Sequence, residues 1–217
     1  MKIGVFDSGI GGQAVAQRLG ELLPNTEIIC VDDHRHVPYG NRSADEIIKL
    51  TDTAIQPLLR GHCDAIVIAC NTATAVALEY LRTTYPSSHF IGIEPMVKPA
   101  AERTKSGIIA VLATPATLAS ASYAALKETW AHAITIIEPD TASWASLIEA
   151  GESDDVPIED MVFQLIEKGV DVIVLACTHY HWLSERAEVA VGAHAIILEP
   201  SDSIGSRIIS LLDTRVI

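Results

Sequence analysis

Aromatic side chains are scarce: Phe, Trp and Tyr make up only 5% of the 217 residues. A core has to be assembled from Ala, Val, Ile and Leu. With 49% apolar residues and a mean hydropathy of +0.29 there is enough of them to bury one, which excludes long intrinsic disorder. Positive charge is also short. Fifteen Lys and Arg face 28 Asp and Glu, a net charge of −13. Such a surface argues against non-specific binding to nucleic acid or to an anionic membrane, although a locally positive pocket can still hold a small anion. No apolar run reaches the roughly 18 residues of a membrane span; the longest, such as 108–113, are strand-sized. The apolar stretch at the start of the chain stops at Asp7, short of the roughly 7–15 residues of a signal-peptide core. A cytoplasmic location, with no membrane and no nucleic-acid partner, is the expectation. The four cysteines, Cys30, Cys63, Cys70 and Cys177, form no CxxC pair and no Cys/His group with zinc-like spacing. Neither a disulfide nor a metal is expected. Lysines are few and none stands in a Schiff-base context, so no pyridoxal cofactor is implied.

Short β-branched runs alternate with helical patterns along the whole chain. The expected strands are 2–6, 27–31, 64–69, 90–93, 108–112, 133–137, 172–176 and 195–198; several are apolar nearly throughout, as in parallel strands covered on both faces. Helices are expected over 12–23, 43–59, 117–130, 157–168 and 183–191. Ser43 and Glu46 form a capping box, Pro57 kinks or closes the second helix, and Gly169 suits a C′ position. The alternation predicts an α/β fold with parallel sheets. A faint repeat divides it. Residues 64–72 read DAIVIACNT and 171–179 read DVIVLACTH, five of nine identical and 107 residues apart, and Ile93-Glu94-Pro95 is echoed by Leu198-Glu199-Pro200. Two similar α/β domains, 1–95 and 96–201, are the expectation, related by pseudo-symmetry with a cleft between them.

In parallel α/β sheets ligands sit beyond the carboxyl ends of the strands. Cys70 and Cys177 each end a strand and open a polar turn into a helix, a position that favours thiolate and lowers the thiol pKa below about 8.5. Two thiols looking into one cleft suit inversion of a carbon centre, one as base and the other as acid. The alternative is that they pack as small hydrophobes, the reading given to Cys30 and Cys63. Asp7-Ser8-Gly9-Ile10-Gly11-Gly12 reads as an anion-receiving turn or as a capped tight turn; it lacks the third glycine of GxGxxG. Pro38-Tyr39-Gly40 alone is a turn. Asn71 and Thr72 cap a helix or offer an amide and an N–H to a carboxylate. Thr114 and Thr117 are cap candidates where a strand meets its helix. Thr178 and His179 follow Cys177, and His179 could assist proton exchange or stabilise a thiolate. Glu149 on helical spacing alone faces solvent.

The chain resembles the glutamate racemases of the cofactor-independent aspartate/glutamate racemase superfamily. The matching segments are IGVFDSGIGG (3–12), DDHRHVPYGNRS (32–43), IVIACNTATA (66–75), GIEPMVKPAA (92–101), LATPATLAS (112–120), LIEAGE (147–152) and VLACTHY (174–180). The resemblance implies an isomerase that interconverts L- and D-glutamate by two-base proton transfer and supplies D-glutamate for peptidoglycan and so for cell-wall biogenesis and cell shape. It implies Cys70 and Cys177 as the two bases, Cys70 acting on the D isomer and Cys177 on the L isomer. Asp7, His179 and Glu149 would assist, and Asp7, Ser8, Pro38, Tyr39, Gly40, Asn71, Thr72, Thr114, Thr117, Thr178 and His179 would contact substrate. It also implies that a final helix, 202–217, returns to the first domain, and it is compatible with a homodimer. Departures are a Pro115-Ala116 pair between the two threonines, HYHWL at 179–183, and EPDTASW before Glu149. The rival readings are an aspartate or other amino-acid racemase or isomerase of the superfamily, and a non-catalytic acidic-ligand binding protein.

Overall fold

A computed structural model describes residues 1–200. The strands are β1 (Lys2–Asp7), β2 (Glu27–Asp32), β3 (Ala65–Ile68), β4 (Phe90–Gly92), β5 (Ile108–Ala113), β6 (Thr135–Ile137), β7 (Val172–Ala176) and β8 (Ile196–Leu198). They form two four-stranded parallel sheets, ordered β2-β1-β3-β4 and β6-β5-β7-β8. The α/β class and all eight expected strands are present. The expected final helix lies outside the described residues.

The central strands β1, β3, β5 and β7 are buried nearly end to end, while the edge strands β2, β6 and β8 are partly open. Alternate residues of β3 point to opposite layers: Ile66 and Ile68 pack with Ile47, Leu58 and Leu81, whereas Ala65 and Val67 pack with Val15 and Leu19. Each fully buried Ile, Leu or Val contributes about 1.5–3 kcal/mol, which is how a chain poor in aromatics closes its core.

The helices are α1 (Gly11–Leu22), α2 (Ala44–Ala54), α3 (Gln56–Arg60), α4 (Asn71–Thr84), α5 (Val97–Arg103), α6 (Pro115–Leu118), α7 (Ala121–Trp130), α8 (Trp144–Glu149), α9 (Ile158–Glu167) and α10 (Ser184–Val191). The Ser43–Glu46 capping box starts α2, and Gly169, at φ +85°, follows the end of α9. Two helical expectations need correction. Residues 43–59 are two helices, with Pro57 in the first turn of α3, where a missing N–H costs no hydrogen bond. Residues 117–130 are broken at Ser120, whose hydroxyl caps α7 by accepting from the Tyr123 amide at 3.1 Å. Before α10, residues Thr178–Leu183 form a 3-10 segment. Cys30, expected to pack as a small hydrophobe, is exposed because β2 is an edge strand; Cys63 is half-buried. Among the described residues no helix is long and apolar enough to cross a membrane, and no group of three His, Cys, Asp or Glu is placed to hold a metal.

Candidate active site

Each sheet has a switch point between its two central strands, where connections leave in opposite directions and a crevice opens. In the first it lies between β1 and β3, and Asp7, Ser8 and Cys70 stand at its mouth. In the second it lies between β5 and β7, marked by Thr114 and Cys177. The registers coincide: Gly4 pairs with Ile66 in one sheet and Ala110 with Ile173 in the other. Ser8 and Thr114 are therefore counterparts, as are Cys70 and Cys177.

The two mouths face each other around a cavity of about 10 Å³. Ser8, Pro38, Tyr39, Gly40, Cys70, Asn71 and Thr72 line it from one side, and Thr114, Ala145, Cys177, Thr178 and His179 from the other. Asp7, Thr117 and Glu149 do not line it but are bonded to residues that do. The space admits about one water. Hydrogen bonds cross between the lobes around it. Thr178 Oγ1 donates to Asp7 Oδ2 at 2.9 Å, the Ile10 amide donates to Glu149 Oε1 at 2.9 Å, and Thr72 Oγ1 lies 2.8 Å from Thr114 Oγ1. Thr117 Oγ1, 3.0 Å from that of Thr114, completes a buried hydroxyl cluster.

The glycine turn after β1 serves these close contacts. A methyl group on Gly9 would come within 2.8 Å of Glu149 Cδ, and one on Gly40 within 2.7 Å of Thr114 Cβ. Two amides of the turn meet the protein's own carboxylates, Gly9 that of Asp7 through Oδ1 and Ile10 that of Glu149.

Cys70 caps α4. Its sulfur accepts from the Ala73 amide at 3.4 Å and lies 3.2 Å from Ser8 Oγ. The expected lowering of its pKa is not found. Burial, and then the nearby Asp7 charge, push the thiol up to about 12 against the hydrogen bonds from Ser8 and Ala73. Burial likewise raises Asp7. Cys177 does not begin an α-helix, and its side chain caps nothing. Its partner is His179, whose Nδ1 is 3.7 Å from the sulfur and whose Nε2 meets Glu149 Oε1. Burial opposes charge on His179, but the hydrogen bonds to Cys177 and Glu149 outweigh it and raise the imidazole to about 11, so it is an imidazolium near neutrality. Burial pulls Glu149 upward, yet the bonds from His179 and Ile10 bring it below its ordinary value. Glu149 is thus not the solvent-facing residue its helical spacing suggests; it ends α8 with its side chain 12% exposed.

One N–H of the Asn71 amide donates to the Ile93 carbonyl at 2.9 Å, which leaves its second N–H, and its Oδ1 has no partner among the described residues. Tyr39 donates to Asp33 Oδ2 at 2.8 Å, which fixes the Pro38-Tyr39-Gly40 turn. Sequence reasoning missed Asp33, Ala145 and His34, a loop residue whose Nδ1 is 3.9 Å from Glu149 Oε2. No local pattern marks any of them, because their places depend on the packing of the two lobes.

The Asp/Glu/Hydantoin racemase family pattern matches residues 3–198. The chain is 37% identical over 217 residues to the glutamate racemase of Roseiflexus sp. (strain RS-1), covering 98% of this chain and 80% of that protein. Among solved structures it is similar to Escherichia coli glutamate racemase in complex with L-glutamate and an activator, UDP-MurNAc-ala, with TM-score 0.85 and 29% identity over 98% of this chain and 82% of that one. Francisella tularensis glutamate racemase in complex with D-glutamate gives TM-score 0.82 and 29% identity, over 99% and 81%.

Proposed function

The chain belongs to the Asp/Glu/Hydantoin racemase family, and on that premise we propose that it interconverts L- and D-glutamate by proton transfer between two opposed thiols, without a cofactor. One observation carries the reading: Cys70 and Cys177 line a single cavity from opposite lobes. In the L-to-D direction Cys177, as thiolate, takes the α-proton from one face, and Cys70 gives its S–H proton to the other. The C–H bond broken on one side is replaced by one formed on the opposite side, and no net proton is gained or lost by the substrate. The reverse direction exchanges the roles.

The surroundings support these assignments. Burial and the Asp7 charge keep Cys70 protonated, which suits it to begin as the acid. The His179 imidazolium beside Cys177 stabilises negative charge on that sulfur. The carbanion is the expensive species. Hydroxyls of Ser8, Thr72 and Thr114 and the start of α4 are the neutral donors available to the substrate carboxylates, and loss of one well-placed donor typically costs about 10²–10³ in rate. The free Asn71 Oδ1 suits the ammonium group. Because the cavity is far smaller than glutamate, substrate entry requires the lobes to part, and closure then excludes water from the reacting atoms. The biological role that fits is supply of D-glutamate for peptidoglycan in the cytoplasm.

The deciding experiment incubates each glutamate enantiomer with the protein in deuterated water, with no added cofactor. Deuterium should enter Cα of both enantiomers and optical activity should vanish. Tight binding without Cα exchange would leave only a binding protein. Preferential exchange of aspartate would reassign the substrate.

A further inference from the structure

The lining of the cavity is not braced equally. Pro38, Tyr39 and Gly40 belong to residues 33–43, between β2 and α2, which form neither helix nor strand. Every other lining residue lies in a helix or directly beside a helix or strand. Both thiols therefore stand at the ends of packed strands, while this wall is placed by its own bonds. Asp33 gathers them. Its Oδ2 accepts from the Tyr39 hydroxyl at 2.8 Å, and its Oδ1 lies 2.8 Å from His36 Nδ1. A carboxylate only accepts, so that ring nitrogen carries the proton. Arg42 Nε donates to the His36 carbonyl at 2.8 Å, and the Arg42 amide donates to the Tyr39 carbonyl at 3.0 Å. The Tyr39 ring is buried against Phe6, with ring centroids 6.3 Å apart, whereas the His36 side chain is 46% exposed. From the second lobe the Ala116 amide donates to the Gly40 carbonyl at 3.0 Å.

We propose that Asp33, oriented by His36, is a positioning residue that sets the distance between the Pro38-Tyr39-Gly40 wall and the reacting carbon, and thereby selects the glutamate side chain over a shorter one. The proposal rests on the two-thiol reading. Proton transfer on opposite faces pins the substrate Cα between Cys70 and Cys177. With Cα pinned, the reach of the side chain is decided by the part of the lining that no strand end fixes. The Asp33–Tyr39 bond holds that part through a buried ring, and its loss leaves the wall tied by backbone bonds alone. Aspartate, one methylene shorter than glutamate, does not extend to the wall and is indifferent to where it stands.

The test pairs Tyr39→Phe, which removes the hydroxyl and keeps the buried ring, with Asp33→Ala. Each should raise KM for glutamate about tenfold, the size of one hydrogen bond to a charged group, with little change in kcat. The double variant should be no worse than either single one, since both break the same bond. Asp33→Asn still offers Tyr39 an acceptor and should recover most of the loss. His36→Ala, which frees Asp33 to turn, should raise KM less than Asp33→Ala does. The inhibition constant of aspartate against glutamate should stay at the parent value in every variant. An unchanged glutamate KM in Tyr39→Phe overturns the proposal. So do losses that add in the double variant, or an aspartate constant that worsens in step with KM, the mark of general damage to the site. Failure of the two-thiol reading would show elsewhere, as racemisation that survives Cys177→Ser in the protein that retains Asp33.

Discussion

At the end of β3, Cys70 is met by a serine hydroxyl and a backbone amide; at the end of β7, Cys177 is met by an imidazolium backed by a carboxylate. The strand registers make the two thiols counterparts, so a duplicated scaffold has been fitted with unlike polar groups. The difference is chemical sense. The first surroundings favour a thiol and the second favour charge on sulfur, which is the pair of states a two-base reaction needs at its start. Thermodynamics limits where the difference can be seen. The equilibrium constant between enantiomers is unity, so any variant must lose kcat/KM equally in both directions. The asymmetry is visible only in irreversible half-reactions, in titration and in stability.

The largest effect breaks the pair. Cys70→Ser and Cys177→Ser should each lower racemisation by roughly 10⁴-fold, the upper end for loss of an acid or base. The remaining thiol should still remove a proton from an analogue that carries a leaving group at Cβ. Elimination should then be handed: Cys177→Ser acts on the D analogue only and Cys70→Ser on the L analogue only. Equal elimination from both hands by either variant would show that the two thiols do not divide the faces of the substrate.

Next in size is removal of charge behind one thiol. Glu149→Gln keeps a hydrogen-bond acceptor but removes the carboxylate, and should lower kcat/KM by about 10²-fold, near the lower limit for acid–base assistance because Glu149 acts through His179. The same variant reports on stability. The folded-state pKa of His179, about 11, lies above its ordinary 6.5, so its interactions contribute full stability below about pH 6.5, and that contribution is lost as pH rises through about 11. In Glu149→Gln the contribution should be smaller and its loss complete at a lower pH. Denaturant midpoints of parent and variant across this window check it, and parallel curves would mean that Glu149 does not hold the imidazole charged.

The strands were legible because each is a short β-branched run that must be covered on both faces, and the thiols stood out because the repeat sets them at matching strand ends. The helix break at Ser120 was not, since a Ser cap also fits the interior of a longer pattern, whereas Pro57 marked a kink or an end in 43–59 without showing that a second helix restarts at Gln56. The raised pKa of Cys70 was missed because local sequence shows the helix start but not the burial that outweighs it. Glu149 and His34 were invisible to periodicity for a related reason. Only the packing of α8 against the first lobe turns one inward and brings the other beside it.

That packing is what the smallest expected effects probe. Gly9→Ala and Gly40→Ala each insert one methyl group between the lobes, the first against Glu149 and the second against Thr114. Neither glycine needs a positive φ, so backbone conformation is not the issue. The cost is overpacking, about 1–3 kcal/mol in each case, and thermal or denaturant unfolding should record similar losses. Activity should separate them. Moving Glu149 disturbs the imidazolium beside Cys177, so Gly9→Ala should reshape the pH profile of kcat/KM. Moving Thr114 disturbs a neutral hydroxyl cluster, so Gly40→Ala should weaken substrate binding and leave that profile in place. Identical pH profiles in the two variants would mean that the charged and neutral sides of the cavity are not functionally distinct, whatever their composition.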